Sequence, residues 1–383
     1  MEYKPNYCNY VEKGIRVRLF DTENGLHASV VPCCHTNGLY IPPEFKIPQK
    51  VFSAEDVMNN KTLLFFKDYF DNNEDMPQAC IACVNDESKN LKSPRQKINN
   101  ENYAGYDISK LDVVLGNSCN LACPFCSSNA SSLIDKLSRK LGTDKRPRSW
   151  VPLANQYGAG SNKTADIVAD ILNKYKVHTL KLIGGEPFLK ENWDRIAEVI
   201  DSGACNDMHL EVTTNGTILN DEIFERLNKT KSAHLRISVD STNDNYEFIR
   251  WPHKWNKMHK NLNYLRENKF DNIHISVSNL VNIYNFEFLP ELEAYFSDVS
   301  NVVGYSTEIK PTTHLMNYQN LPEHIIEHVR NMVKRPSLKQ ALVKGNNNYT
   351  KKQIKKEFEV LLMQRKMKAE DVIGPMTREW LEL

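Results

Sequence analysis

Apolar and polar positions alternate with a period of two over residues 15–20 and again over 26–31, with Asn24-Gly25 between the two runs. Two alternating runs joined by Asn-Gly predict a β-hairpin. Residues 53–69 then read as one helix, with Ser53 as its N-cap and Asp56 at the third helical position. From about Tyr106 the texture changes, and short apolar runs alternate with amphipathic segments. The runs at 111–115, 179–183, 209–213, 235–239 and 273–277 predict strands, and the segments 165–175, 193–200, 221–227 and 259–267 predict helices between them. Strands separated by helices imply parallel strands joined by crossovers. LKLIGG and ISVSNLV are as continuously apolar as buried strands of that kind. The expected fold class is therefore α/β, an open (β/α)6-type partial TIM barrel.

Texture also divides the chain. Residues 1–103 are loop-rich and carry five cysteines, 104–310 hold the alternating strands and helices, and 311–383 form a helical, basic carboxyl-terminal region. Between Arg330 and Lys368 twelve Lys/Arg face two Glu, a local charge of +10, with a turn expected at Asn346–Asn348. The stretch from Lys136 to Arg148 is basic as well. Such runs serve either as solvated helix faces or as surfaces for anions and nucleic acid. Aromatics that could stack on bases are not obviously interleaved in either stretch, which weakens the nucleic-acid reading.

Composition adds limits. With 383 residues, 40% hydrophobic and 25% charged, the chain is long enough for two or three domains and too apolar for general disorder. A net charge of +1 neither demands nor forbids a nucleic-acid partner. The first twenty residues lack the apolar core of a signal peptide, and no run reaches the ~18 apolar residues of a membrane span, so a cytoplasmic protein is expected. In a reducing compartment nine cysteines, eight of them in the first third, point to metal or redox chemistry rather than to disulfides.

The strongest chemical signal is Cys119-Asn-Leu-Ala-Cys123-Pro-Phe-Cys126, directly after the apolar run LDVVL. Three thiolates so spaced gather on one loop and hold three irons of a cubane, leaving the fourth iron open. Electron-transfer clusters use four cysteines, whereas an open metal position is the mark of a catalytic site. A zinc knuckle with a distant fourth ligand is the alternative.

Followed by Gly184-Gly185-Glu186-Pro187 at the end of LKLI, this loop resembles the radical S-adenosylmethionine (SAM) superfamily over roughly 200 residues. Thr213-Thr214-Asn215-Gly216 and Ile237-Ser238-Val239-Asp240 are similar to that family's third and fourth strand ends. The resemblance implies a [4Fe–4S] cluster on Cys119, Cys123 and Cys126, which would be the catalytic centre. It further implies SAM contacts from Phe125, Gly184, Gly185, Glu186, Pro187, Thr214, Asn215, Ser238, Asp240 and Arg250, with Val281 and Asn282 near the adenine. The implied reaction is reductive cleavage of SAM to a 5′-deoxyadenosyl radical that abstracts hydrogen from substrate. A reductant such as flavodoxin or ferredoxin would supply the electron.

Cys8, the hairpin, Pro32-Cys33-Cys34, a helix and Cys80-Ile-Ala-Cys83 look like the SPASM/twitch auxiliary-cluster module, placed ahead of the barrel rather than after it. That resemblance implies a second [4Fe–4S] cluster on Cys8, Cys33, Cys80 and Cys83, with Cys34 spare; zinc in the same thiolates is the alternative. It also implies a peptide or protein substrate. Modification of a nucleotide or tRNA is the second reading, and a non-catalytic metal-binding adaptor the third. Cys205 is expected to be an ordinary buried thiol.

Overall fold

The computed structural model describes residues 7–73, 75–141, 161, 163–268, 270–297, 315–345 and 349–383, and the backbone of 304–308. The chain divides into two compact units. Met1–Ser118, Asn155–Val212 and Asp221–Ala233 form the first; Cys119–Ala154, Thr213–Asn220 and His234–Leu383 form the second.

In the first unit β1 (Gly14–Thr22) and β2 (Gly25–Val31) make the predicted antiparallel hairpin. Gly25 has φ +106°, which L side chains rarely adopt, and the Thr22 hydroxyl donates to its carbonyl at 2.9 Å. The two-residue strand β3 (Gln49–Lys50) lies antiparallel to β2. On its other side β1 pairs in parallel with β4 (Ile108–Val114), so the hairpin continues a sheet of parallel strands. β5 (Val177–Ile183) and then β6 (His209–Thr214) follow in parallel. Connecting helices Thr164–Lys174 and Lys190–Asp201 bury Val168, Ile171, Ile196 and Ile200. Val17, Leu19, Leu111, Val113, Leu180 and Leu182 alternate along the strands on one sheet face and are fully buried. Each such side chain contributes about 1.5–3 kcal/mol by leaving water. The opposite face carries Arg16, Lys110, Asp112, Lys181 and Glu211.

The single helix expected over 53–69 is two helices, Ala54–Met58 and Lys61–Asn72. Ser53 and Asp56 do form the capping box. The break falls at Asn59-Asn60, where the Asn60 side chain accepts from the Thr62 amide at 3.0 Å and caps a new helix. Short polar side chains of this type compete for backbone donors, and the apolar periodicity alone concealed the restart.

In the second unit β8 (Ile273–Leu280) lies between β7 (Ser232–Ser238) and β9 (Gly304–Glu308), and it runs parallel to β9. Helices Asn243–Ile249 and Trp255–Glu267 connect β7 to β8, and Leu289–Ser297 lies between β8 and β9. The carboxyl-terminal helices bury Ile326, Val329, Ile354, Phe358 and Leu361 in one core with Phe248, Tyr284 and Phe286. Tyr284 stacks on Phe358 at 5.2 Å, and Phe286 on Tyr318 at 5.0 Å. Apart from Arg365, which is buried, the basic run is thus the solvent side of helices whose other side is core. The turn expected at Asn346–Asn348 lies outside the described residues, as do residues 142–148 of the basic stretch that begins at Lys136. Parallel strands alternating with helices make the chain an α/β protein. No helix among the described residues is long and apolar enough to cross a membrane.

Candidate functional site

The stem of the cysteine loop is fixed in the first unit. Leu115 continues from β4 and donates to the Ile183 carbonyl at 2.7 Å; Gly185 donates to Gly116 at 3.0 Å and Glu186 to Ser118 at 2.7 Å. These bonds leave no room for side chains. A Cβ at Gly184, where φ is +120°, would meet the Leu115 carbonyl oxygen at 2.5 Å, and one at Gly185 would meet that of Ser118 at 2.1 Å. The two glycines are therefore required by the approach of the loop stem to the end of β5. The Glu186 side chain is fully buried and accepts from the Phe188 amide at 3.2 Å. Asn192 donates to the Glu186 carbonyl at 2.8 Å and to that of Ser118 at 3.3 Å. Pro187 is buried within the same turn.

The loop itself belongs to the second unit. Cys123 is buried, while Cys119 and Cys126 are half-buried; the Cys126 amide donates to the Cys123 carbonyl at 3.1 Å, closing a tight turn. Asn215 reaches the loop from the end of β6. Its Nδ2 lies 2.9 Å from Asn120 Oδ1 and 3.9 Å from Cys119 Sγ, and its Oδ1 accepts from the Thr217 amide at 2.9 Å. The buried Thr214 hydroxyl accepts from the Gly216 amide at 3.0 Å. Arg250 brings Nη1 to 3.8 Å from Cys123 Sγ and Nε to 2.5 Å from Asp240, and its guanidinium lies 5.4 Å from the Phe125 ring centre. Asp240 also accepts from the Leu280 amide at 2.7 Å. Ser238 ends β7, half-buried. Val281 is buried, and the Asn282 side chain is used within its own turn, accepting from the Tyr284 amide at 2.9 Å.

Sequence reasoning missed Arg365, which sits at the end of the basic helix Lys351–Arg365. It is buried, donates to the Ala122 carbonyl at 3.0 Å and to that of Phe248, and lies 4.5 Å from the Phe248 ring centre. Among twelve basic residues nothing in the local pattern separates it. Burial raises the Cys123 thiol, while Arg250 and Arg365 pull it down. Burial and then Cys123 push Cys126 up to about 12. Bound iron would reverse this balance, because a coordinating thiol loses its proton to the metal charge. Three thiols on one loop, with N–H donors at two of the sulfurs, suit a thiolate-bound iron–sulfur cluster, although among the described residues no three such groups close on a single ion.

A second thiol set occupies the first unit. Cys8, Cys33, Cys80 and Cys83 line one cavity with Tyr10 and Arg95, while Cys34 is exposed and takes no part in the lining. Arg95 is buried and held by Glu87 and by the Tyr7 carbonyl at 3.1 Å, which places a fixed positive charge beside the thiols. Among the described residues no three His, Cys, Asp or Glu side chains close on one metal ion; the four thiols are set around a space. Cys205 is buried in the first unit, as expected.

A family model described as "Radical SAM superfamily" matches residues 113–290. A protein named probable GTP 3′,8-cyclase from Methanocella arvoryzae is 29% identical over 149 residues, 38% of this chain and 39% of that protein. A second of that name from Methanocaldococcus jannaschii is 23% identical over 248 residues, 58% of this chain and 74% of that protein. The chain thus spans about two fifths of the first of these relatives. Among solved structures, Streptococcus suis SuiB bound to precursor peptide SuiA is similar at a TM-score of 0.36 and 15% identity, covering 90% of this chain and 74% of that one. The matched segment begins within β4, runs through the three-cysteine loop and the glycine turn, and ends beyond β8, so residues 113–290 resemble the radical SAM superfamily.

Proposed function

We propose that this protein binds SAM at a [4Fe–4S] cluster held by Cys119, Cys123 and Cys126 and takes a hydrogen atom from a peptide or protein side chain. The observation that carries the reading is the loop itself, with three thiols within eight residues and donors from Asn215 and Arg250 at the Cys119 and Cys123 sulfurs. A cluster held there would supply the one-electron chemistry that cleaves SAM to a 5′-deoxyadenosyl radical. The chain holds that chemistry in place. Gly184 and Gly185 keep the loop stem against β5, and Asn215 ties the end of β6 to Asn120. Arg250, held in place by Asp240, points an N–H at the Cys123 sulfur and would favour its thiolate. By family resemblance Phe125, Thr214, Ser238 and the glycine turn would hold SAM, and flavodoxin or ferredoxin would deliver the electron.

Cys8, Cys33, Cys80 and Cys83 would hold an auxiliary [4Fe–4S] cluster or zinc, a reading supported by their shared cavity and by Arg95 beside them. The peptide substrate rests on the likeness of this cysteine arrangement to the SPASM/twitch module. A nucleotide substrate is the second reading, favoured by the relatives named GTP 3′,8-cyclases.

The test is anaerobic reconstitution followed by dithionite and SAM. About eight irons, falling to about four in the Cys119/Cys123/Cys126→Ala variant together with loss of 5′-deoxyadenosine, is the expected result. A fully loaded wild type that forms no 5′-deoxyadenosine would overturn the reading. About four irons plus zinc in the wild type would assign the amino-terminal thiols to zinc.

A further inference from the structure

Two buried arginines stand beside the three-cysteine loop, and only one of them has a carboxylate. Arg250 pairs with Asp240 at 2.5 Å and brings Nη1 to 3.8 Å from Cys123 Sγ. Arg365 is 6% exposed and donates to the carbonyls of Ala122, at 3.0 Å, and Phe248. Its Nε is buried with no hydrogen-bond partner, and among the described residues no carboxylate pairs with its guanidinium. The titratable groups within electrostatic reach of that guanidinium are Cys123 and Tyr284.

Packing fixes the arrangement. Leu361 and Phe358 stand four and seven residues before Arg365 on the helix Lys351–Arg365, so the three share one face. Both are fully buried in the core that holds Ala122 and Phe248, and Phe125 and Cys126 of the loop pack against the same core. The guanidinium is therefore held away from water, one residue from Cys123. Burying a cation without an anion is unfavourable. No carboxylate meets this one, and the loop sulfurs are the groups that become anionic when they take iron. Net charge and hydrogen bonds at the sulfurs help to set the potential of an iron–sulfur cluster. A fixed charge in a dry interior is also weakly screened.

We infer that Arg365 is the counter-charge of the cluster that Cys119, Cys123 and Cys126 would hold, and that it sets the potential at which this cluster accepts an electron. Arg365 is a positioning residue, acting through the Cys123 thiolate and not on substrate. One electron passes from the external reductant to the cluster, no proton moves, and the added negative charge is met by Arg365. Arg250 directs an N–H at the same sulfur, but its charge is already matched by Asp240. The inference rests on the reading of the loop as a [4Fe–4S] site.

The experiment is a redox titration of the reconstituted full chain, followed by electron paramagnetic resonance, with dithionite as reductant and without SAM. The signal missing from the Cys119/Cys123/Cys126→Ala variant belongs to the three-cysteine loop. In Arg365→Gln its midpoint should fall by about 59 mV or more, a tenfold loss in the ratio of reduced to oxidised cluster at fixed potential. Arg365→Met, a second neutral variant, should behave in the same way. Arg365→Lys keeps the charge and should restore more than half of the shift. Lys352→Gln removes an exposed charge from the same helix and should leave the midpoint unmoved.

A wild-type midpoint in Arg365→Gln at full iron overturns the inference. So does an equal fall in Arg365→Lys, which would assign the effect to the two-carbonyl bridge, or in Lys352→Gln, which would assign it to the helix surface. Loss of iron from both neutral variants also overturns it, because Arg365 would then serve the folding of the loop alone. Iron content unchanged by the Cys119/Cys123/Cys126→Ala substitution sinks the cluster reading and the inference together. Iron held by the loop with an unmoved midpoint sinks the inference alone.

Discussion

Gly185 meets Ser118 so closely that a Cβ on the glycine would stand 2.1 Å from the Ser118 carbonyl oxygen. Ser118 is the last residue before Cys119, so the glycine turn after β5 sets where the three-cysteine loop begins. The glycines are thus explained by a contact within the chain before any cofactor is invoked.

Gly185→Ala is accordingly expected to displace the loop stem. Overpacking at a backbone contact costs about 1–3 kcal/mol, which thermal unfolding reads directly. Iron retained after reconstitution should fall toward the value of the Cys119/Cys123/Cys126→Ala variant. An alanine variant with wild-type iron and an unchanged melting temperature would show that the stem adapts.

Asp240 and Arg250 form a buried pair, with side chains 0% and 9% exposed. Removing one partner leaves the other charge uncompensated, at a cost of about 3–5 kcal/mol. Asp240→Asn and Arg250→Met should each destabilise on that scale, and the double variant by clearly less than their sum. Additive losses in urea unfolding would mean that the two side chains do not act as a pair.

Arg365 spans two backbone carbonyls, those of Ala122 and Phe248. Arg365→Met strands both in an apolar core, at about 1–3 kcal/mol for each unpaired group. Because Ala122 precedes Cys123, slower iron uptake should accompany the loss of stability. Arg365→Lys keeps the charge but loses the planar fork, so it should recover only part of the stability. Full recovery by lysine would show that charge, not the two-carbonyl bridge, is what matters.

The hairpin, the strands β4 to β8 and their helices were legible because period-two and helical patterns there agree with burial. The three-cysteine loop and the glycine turn were legible because both are continuous in sequence. Arg365 was not, since its meaning comes from folding more than two hundred residues away onto Ala122. The helix break at Asn60 and the charge row from Arg16 to Glu211 were hidden for a related reason. A cap depends on one side chain's geometry, and register across four strands is invisible in any single strand.

His178 and His209 face each other with ring centres 4.8 Å apart. Burial lowers the pKa of both, and His209 lowers that of His178 further. The folded state therefore binds fewer protons than the unfolded state, whose histidines titrate near about 6.5. Stability should be intact above that pH and should decline as pH falls through it toward the lowered folded values. Urea midpoints measured between about pH 5 and 8 should show this slope, and His178→Gln should flatten it. Parallel curves for the two proteins would remove the pair as the cause.

Around the amino-terminal cavity, burial pushes the Cys8 thiol up to about 12 and Cys33 up to about 11. Without metal these groups hold their protons near neutral pH, so binding must release them and loading should improve as pH rises. A closed cubane or a four-thiolate zinc site needs all of its ligands. Cys8→Ala, Cys33→Ala, Cys80→Ala and Cys83→Ala should therefore each lose the amino-terminal metal while keeping that of the three-cysteine loop. Cys34→Ala should keep both, since its thiol is exposed and outside the cavity. Metal analysis of the five proteins settles the ligand set: loss in Cys34→Ala, with retention in any one of the other four, would move Cys34 into the site and the retained cysteine out of it.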